Sequence, residues 1–210
     1  MRDARHAIFA RLKEVRGTRP RDAAQIRAEA EALIADPTSY QRAVEGDLAG
    51  RFMDETVRDL RGASGERLES MDDVPGAVAA RLGAWNATAA VKIGPRLQHL
   101  RWPGLTLVDT LEEDGGAAVS LADYAVAETG SLIMLTAADQ PLLDNFLPEF
   151  HILVAERKNL VAHMEEVWAK IGDLPRASAI ITGSSSSADI QGTSIRGAHG
   201  PRLLHVILVG

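Results

Sequence analysis

The chain has 210 residues, 46% hydrophobic and 25% charged, with a formal net charge of -6 and no cysteine. A chain of this length can bury a full core, and it reads as one globular domain, or one domain with an appendage. The acidic balance speaks against a nucleic-acid binder, and the missing cysteines exclude disulfides, thiol catalysis, cysteine-ligated zinc and iron–sulfur clusters on this chain. No apolar run approaches the roughly 20 residues of a membrane helix, and the start, Met-Arg-Asp-Ala-Arg-His, lacks the apolar core of a signal peptide. No membrane span and a cytoplasmic location are therefore expected. Charge is uneven: residues 1–30 hold eight Arg/Lys against four Asp/Glu, whereas 101–156 hold Arg101 alone against ten acids. Such asymmetry helps segments or partners choose a face.

In chain order, Ala7, Ile8, Leu12 and Val15 form one helical stripe, which predicts a helix over 4–15 ended by Gly17. Asp22 to Ile34 repeats the pattern and stops before Asp36-Pro37. These two helices form an N-terminal helical segment, 1–46, expected to pack on its own subunit or a neighbour, and 47–210 form the main domain. A helix through Phe52, Val57 and Leu60 is expected to run to Gly62, and another over 72–82, with Asp72 or Asp73 as N-cap and Pro75 in its first turn. Residues 87–93 read as a strand closed by Gly94-Pro95, and 105–108 as another. The apolar run after Gly130 is a third, and 150–155 a fourth. Leu160 to Ile171 is expected as one helix burying Val161, Met164, Val167, Trp168 and Ile171. A short buried strand over 179–181 and a longer one over 203–209 close the chain. Alternating helices and strands imply crossovers, hence an α/β fold with a largely parallel sheet covered by helices on both faces.

Between the last two strands lie glycines 183, 192, 197 and 200, five serines from 184 to 194, and Asp189, Arg196 and His199. Small residues permit positive φ and close approach, so this loop can aim backbone N–H groups and hydroxyls at an anion. The plain alternative is an ordinary flexible serine loop. The candidate ligand residues are Thr129, Gly130, Gly183, Ser184, Ser185, Ser186, Asp189, Arg196, Gly197 and His199, for a small carboxylate or phosphate. Glu128, in Glu128-Thr129-Gly130 directly before a strand, is the candidate catalytic carboxylate, and its alternative is a turn carboxylate bonded to backbone N–H groups. Glu128 and the loop are expected to share one pocket at the carboxyl edge of the sheet. His151, His199 and His205 could converge on a metal, although a core histidine is the simpler reading of His205, and no metal is assigned. The common nucleotide and zinc-protease fingerprints are absent.

Ala127-Glu128-Thr129-Gly130, Leu147-Pro148 with His151, Thr182-Gly183, Ser187-Ala188-Asp189-Ile190 and the closing His199-Gly200-Pro201-Arg202 with His205-Val206-Ile207-Leu208 resemble the lactate-utilisation protein C (LutC/YkgG) family, the LUD domain. The resemblance runs from about Leu48 to the C-terminus. It implies a fold similar to the NagB/RpiA/CoA-transferase group, and a role in oxidising L-lactate to pyruvate with iron–sulfur partner proteins, the clusters residing on the partners and no cofactor on this chain. The sequence departs from the family where the latter reads Gly-Pro-Ser-Arg-Thr-Ala-Asp-Ile-Glu, since Gly183 is followed here by four serines and Gln191 ends the stretch. That removes an arginine able to clamp an anion. Either Arg196 or Arg202 takes its place, or the ligand is less charged or absent. Two other readings stay open: a free-standing isomerase or CoA-transferase-like enzyme using Glu128, and a non-catalytic assembly or regulatory subunit.

Overall fold

The computed structural model describes residues 2–16, 22–36, 41, 43–87, 90–111, 115–173, 175–188 and 194–210. The chain divides into two units, Met1–Arg42 and Ala43–Gly210. In the first, helix α1 spans Arg2–Arg16 and α2 spans Ala23–Ala35. Asp22 caps α2, its carboxylate accepting from Ala24 N at 3.3 Å, and this satisfies a donor that a helix start leaves orphaned. The apolar stripes that predict the two helices stay exposed, with Ile8, Leu12, Ile26 and Leu33 all more than half accessible.

In the second unit, α3 (Leu48–Thr56) is capped by Asp47, which accepts from Ala49 N and Gly50 N. It stops short of the expected end at Gly62, because the backbone leaves the helical region at Arg58 (φ -54°, ψ 138°), before a 3-10 turn over Asp59–Arg61 and a left-handed Gly62 at φ 62°. Strand β1 (Ala63–Leu68) follows, and then α4 (Val74–Ala84). The helix expected from Asp72 begins two residues later: Ser70, not Asp72 or Asp73, supplies the capping oxygen for a preceding 3-10 turn. Next come β2 (Ala90–Ile93), β3 (Thr106–Leu107), β4 (Ala117–Leu121), β5 (Tyr124–Val126), β6 (Ser131–Leu135), β7 (Phe150–Glu156) and β8 (Leu160–Val161). Helix α5 covers Met164–Lys170, and strands β9 (Ser178–Ile181), β10 (Ser186–Ala188), β11 (Ser194–Arg196) and β12 (Leu203–Val209) complete the chain. The single helix expected from Leu160 is thus a strand and a shorter helix. Val161 pairs with Val126, and Trp168 is 37% exposed rather than buried.

A six-stranded sheet in the order β1-β12-β7-β4-β2-β3 is parallel throughout. A second sheet, β8-β5-β6-β9, is mostly antiparallel. Because side chains alternate along a strand, β7 and β12 feed two cores. Ile152, Val154, Ile207 and Val209 face α4 through Val74, Val78 and Leu82. Leu153, Ala155, Leu204, Val206 and Leu208 face Phe52 of α3 together with Ala125, Leu132 and Met134 of the second sheet. The fold is α/β as expected, with helices on both faces and the second sheet adding to one of them. Among the described residues no helix is long and apolar enough to cross a membrane.

Candidate functional site

Strand β9 leads into the serine-rich segment, and it belongs to the second sheet, where Ile181 pairs with Leu132. That pairing sets Thr182 beside Ser131, and a hydroxyl chain runs from Thr129 Oγ1 to Ser131 Oγ (2.8 Å) and on to Thr182 Oγ1 (2.7 Å). Gly183 follows at φ 108°, and a side chain there would collide with the Arg61 carbonyl. Ser184 N donates to Arg61 O at 2.9 Å, Ser185 N to Pro201 O at 2.8 Å and Gly197 N to Ser185 O at 3.0 Å. Ser184 Oγ also reaches Arg61 O, at 3.4 Å. The Ser184, Ser185 and Gly197 amides are therefore committed to neighbouring carbonyls. Beyond them Ser186 pairs with Arg196 in a β10–β11 hairpin, so part of the expected loop is sheet. Asp189 lies outside the described residues.

What remains open is a cleft around His199. One cavity of about 290 Å³ is lined by Asn145, Phe146, Thr182, Gly183, Ser185 and His199, among others. An adjoining one of about 510 Å³ shares Phe146, His199 and Gly200 and adds Glu149, Gly197 and Arg202. Arg202 is held by Glu149 at 2.5 Å and lies 5.8 Å over the Phe150 ring. Asn145, which the sequence reading missed, is 2% exposed. Its Nδ2 donates to Leu142 O at 3.0 Å, while Oδ1 is buried without a partner among the described residues. A buried, unpaired acceptor costs free energy until a donor arrives. Nothing in its local spacing, Leu142-Leu143-Asp144-Asn145-Phe146, signals this.

The cleft's position corrects the expected one. Arg61 precedes β1, Glu149 precedes β7 and Pro201 precedes β12, so the serine segment packs at the amino edge of the parallel sheet, not the carboxyl edge. The reason is that β9 is not a strand of that sheet. Glu128 and Gly130 sit in the β5–β6 turn, at the same end of the second sheet as Gly183, yet Glu128 lines neither cavity of the cleft. Its Oε2 meets His163 Nδ1 at 2.8 Å and its Oε1 accepts from Met164 N at 3.2 Å. Both oxygens thus serve the start of α5. Gly130, at φ 64°, presses against α3, where a Cβ would lie 2.6 Å from Thr56 N. Arg196 lines a different cavity, beneath Gly62.

The three histidines do not converge. His151 is fully buried between the sheets, its Nε2 3.2 Å from Ser120 Oγ, and burial pushes its pKa down to about 3. His205 lies on the opposite face of the parallel sheet, beside Trp85, between Ser64 Oγ (2.8 Å) and Glu66 (2.7 Å). Burial holds it below the usual histidine range, with the Glu66 hydrogen bond opposing and Arg81 adding to the shift. Imidazoles on two faces of one sheet cannot share an ion. Among the described residues no group of three His, Asp or Glu side chains could hold a metal.

The LUD domain family model matches residues 114–209. A lactate utilization protein C from Geobacillus kaustophilus is 29% identical over 46% of this chain and 43% of its own length. One from Halalkalibacterium halodurans is 30% identical over 47% of this chain and 45% of its own. One from Deinococcus radiodurans is 31% identical over 67% of this chain and 71% of its own. The match thus spans less than half the length of the first two relatives and most of the third. A crystal structure of a DUF162 family protein, also from Deinococcus radiodurans, superposes with a TM-score of 0.52 at 26% identity, covering 78% of this chain and 96% of that one. A matching family model over the C-terminal half, a relative aligned across two thirds of both chains and a shared fold agree, and the chain belongs to the LUD-domain family of lactate utilization protein C.

Proposed function

We propose that the chain is a component of a lactate-utilisation system, acting in the cytoplasm in the oxidation of L-lactate to pyruvate together with iron–sulfur partner proteins. Membership of the family whose relatives are named lactate utilization protein C carries this reading. The cysteine count supports the division of labour: oxidation of a hydroxy acid releases two electrons, and a chain with no cysteine has no thiolates to ligate a cluster. In this reading the His199 cleft holds a small carboxylate. His199 and the Ser185 hydroxyl donate to the carboxylate, and Asn145 forms part of the wall.

Growth on lactate tests it. A deletion strain is expected to lose lactate-dependent growth and to regain it with the wild-type gene, while the purified chain shows no lactate-dependent dye reduction. Because Glu128 is engaged by His163 and Met164, Glu128→Gln is expected to restore growth, and His199→Ala with Ser185→Ala is not. Dye reduction by the isolated chain, or loss of growth in a folded Glu128→Gln variant, returns the argument to a free-standing enzyme built on Glu128.

A further inference from the structure

A cavity of about 390 Å³ opens at the amino edge of β1 and β12, and its lining includes Arg58, Arg81, Arg196, Trp85 and Gly62. One carboxylate, Asp59, shares the lining, so three guanidinium groups face a single negative charge. Among the described residues neither Arg81 nor Arg196 is ion-paired. Arg58 reaches Glu55 at 3.1 Å, but that carboxylate already holds Arg51 at 2.6 Å.

Arg81 is held in place. It lies 6.0 Å over the Trp85 ring, with its Nε buried and without a partner among the described residues. Trp85 is itself stacked on Phe150 at 5.8 Å between centroids, which fixes the platform. On the other wall Gly62 is left-handed, and a Cβ there would lie 2.6 Å from Ser184 Oγ and 2.8 Å from Arg196 Nη1. The missing side chain is what lets that hydroxyl and that guanidinium come against the turn. Like charges gathered around one cavity repel in the free protein. A bound oxyanion relieves the repulsion and receives charge-assisted hydrogen bonds from a prearranged set of donors.

We propose that this cavity binds a phosphate-bearing ligand, whose phosphoryl group is gripped by Arg81 and Arg196 with Arg58 at the rim. The surplus of two positive charges matches a phosphoryl group, which carries about -1.5 to -2 at neutral pH. A monocarboxylate leaves one of them unanswered. The site adjoins the His199 cleft at Leu204, but His199, Asn145 and Ser185 do not line it, so it stands whether or not that cleft holds a carboxylate.

Calorimetric titration of the full chain at low ionic strength, with inorganic phosphate, pyrophosphate and L-lactate as probes, tests the assignment. Saturable binding of phosphate or pyrophosphate at one equivalent is expected. Arg196→Gln, on an exposed hairpin, should weaken it about ten-fold or more, the equivalent of one lost hydrogen bond to a charged group. Arg81→Gln should do the same, whereas the exposed Arg101→Gln should change affinity by no more than about two-fold, a surface charge being screened. No saturable heat from either phosphate probe overturns the proposal. So does binding that both Arg196→Gln and Arg81→Gln leave intact, or lactate competing for the same site as strongly as phosphate.

Discussion

Replacing Gly130 with alanine puts a methyl group where the β5–β6 turn meets the last turn of α3. The new Cβ would lie 2.6 Å from Thr56 N, 2.7 Å from Glu55 C and 3.0 Å from Glu55 Cβ, at a residue whose φ is 64°. Two of those neighbours are backbone, so relief requires moving the helix end itself. That helix carries Phe52, which is fully buried, and Thr56, whose hydroxyl bonds Phe52 O at 2.8 Å. A left-handed alanine costs about 1–2 kcal/mol, and overpacking adds about 1–3 kcal/mol. The stiffer unfolded chain returns about 0.5–1 kcal/mol, leaving a net loss of roughly 2–4 kcal/mol. At about 2–4 °C per kcal/mol for a domain of this size, the thermal midpoint read by circular dichroism should fall by roughly 5–15 °C. Gly76→Ala is the control: no atom stands within 4 Å of its Cβ, it lies inside α4, and alanine should stabilise by about 0.8–1 kcal/mol. A Gly130→Ala protein melting within about 2 °C of wild type, a change worth at most about 1 kcal/mol, would falsify the packing role given to this turn.

Acid should weaken the fold through His151. Its pKa is about 3 in the folded chain against 6.5 ordinarily, so the unfolded chain takes up the proton first. Stability is fully present above about pH 6.5 and drops on acidification toward pH 3, with a slope approaching about 1.4 kcal/mol per pH unit from this residue. Urea unfolding at several pH values should show a shallower slope in His151→Gln, and an unchanged slope defeats the assignment. Lys92 Nζ holds Asp144 Oδ1 at 2.7 Å, and Asp144 Oδ2 is buried without a partner among the described residues. Lys92→Met should therefore cost about 3 kcal/mol by stranding that carboxylate, and Lys92→Met with Asp144→Leu should recover most of it. If the double variant is no more stable than the single one, the stranded charge is not the cause.

The strands easiest to read were those buried on both faces. Residues 150–156 and 203–209 are nearly continuous apolar runs because they occupy the middle of the parallel sheet. Strand β1, Ala-Ser-Gly-Glu-Arg-Leu, was invisible: it is an edge strand whose residues are half-buried, so no pattern selects them. Leu160 and Val161 fitted a helical stripe as well as a strand, and only their pairing with Ala125 and Val126 decides between the two. The serine segment was legible as unusual, but its edge of the sheet was not, because sequence order does not reveal that β9 joins the second sheet. Asn145, Arg58 and Arg81 gave no signal at all. Their standing rests on an orphaned acceptor and an unbalanced charge, which exist only once distant segments meet.

The place of β12 between β1 and β7 has a consequence for biosynthesis. Ser64 and His205 face one another across 141 positions of sequence, so β1 and β7 wait for a common neighbour that is made long after both of them. Until it emerges, the nascent chain carries two strand edges with unanswered N–H and C=O groups, and α3 has no completed surface on which to bury Phe52. Closing so large a loop is slow. The growing polypeptide is thus most open to edge-to-edge association with its neighbours on a polysome in the interval before residues 203–209 are available.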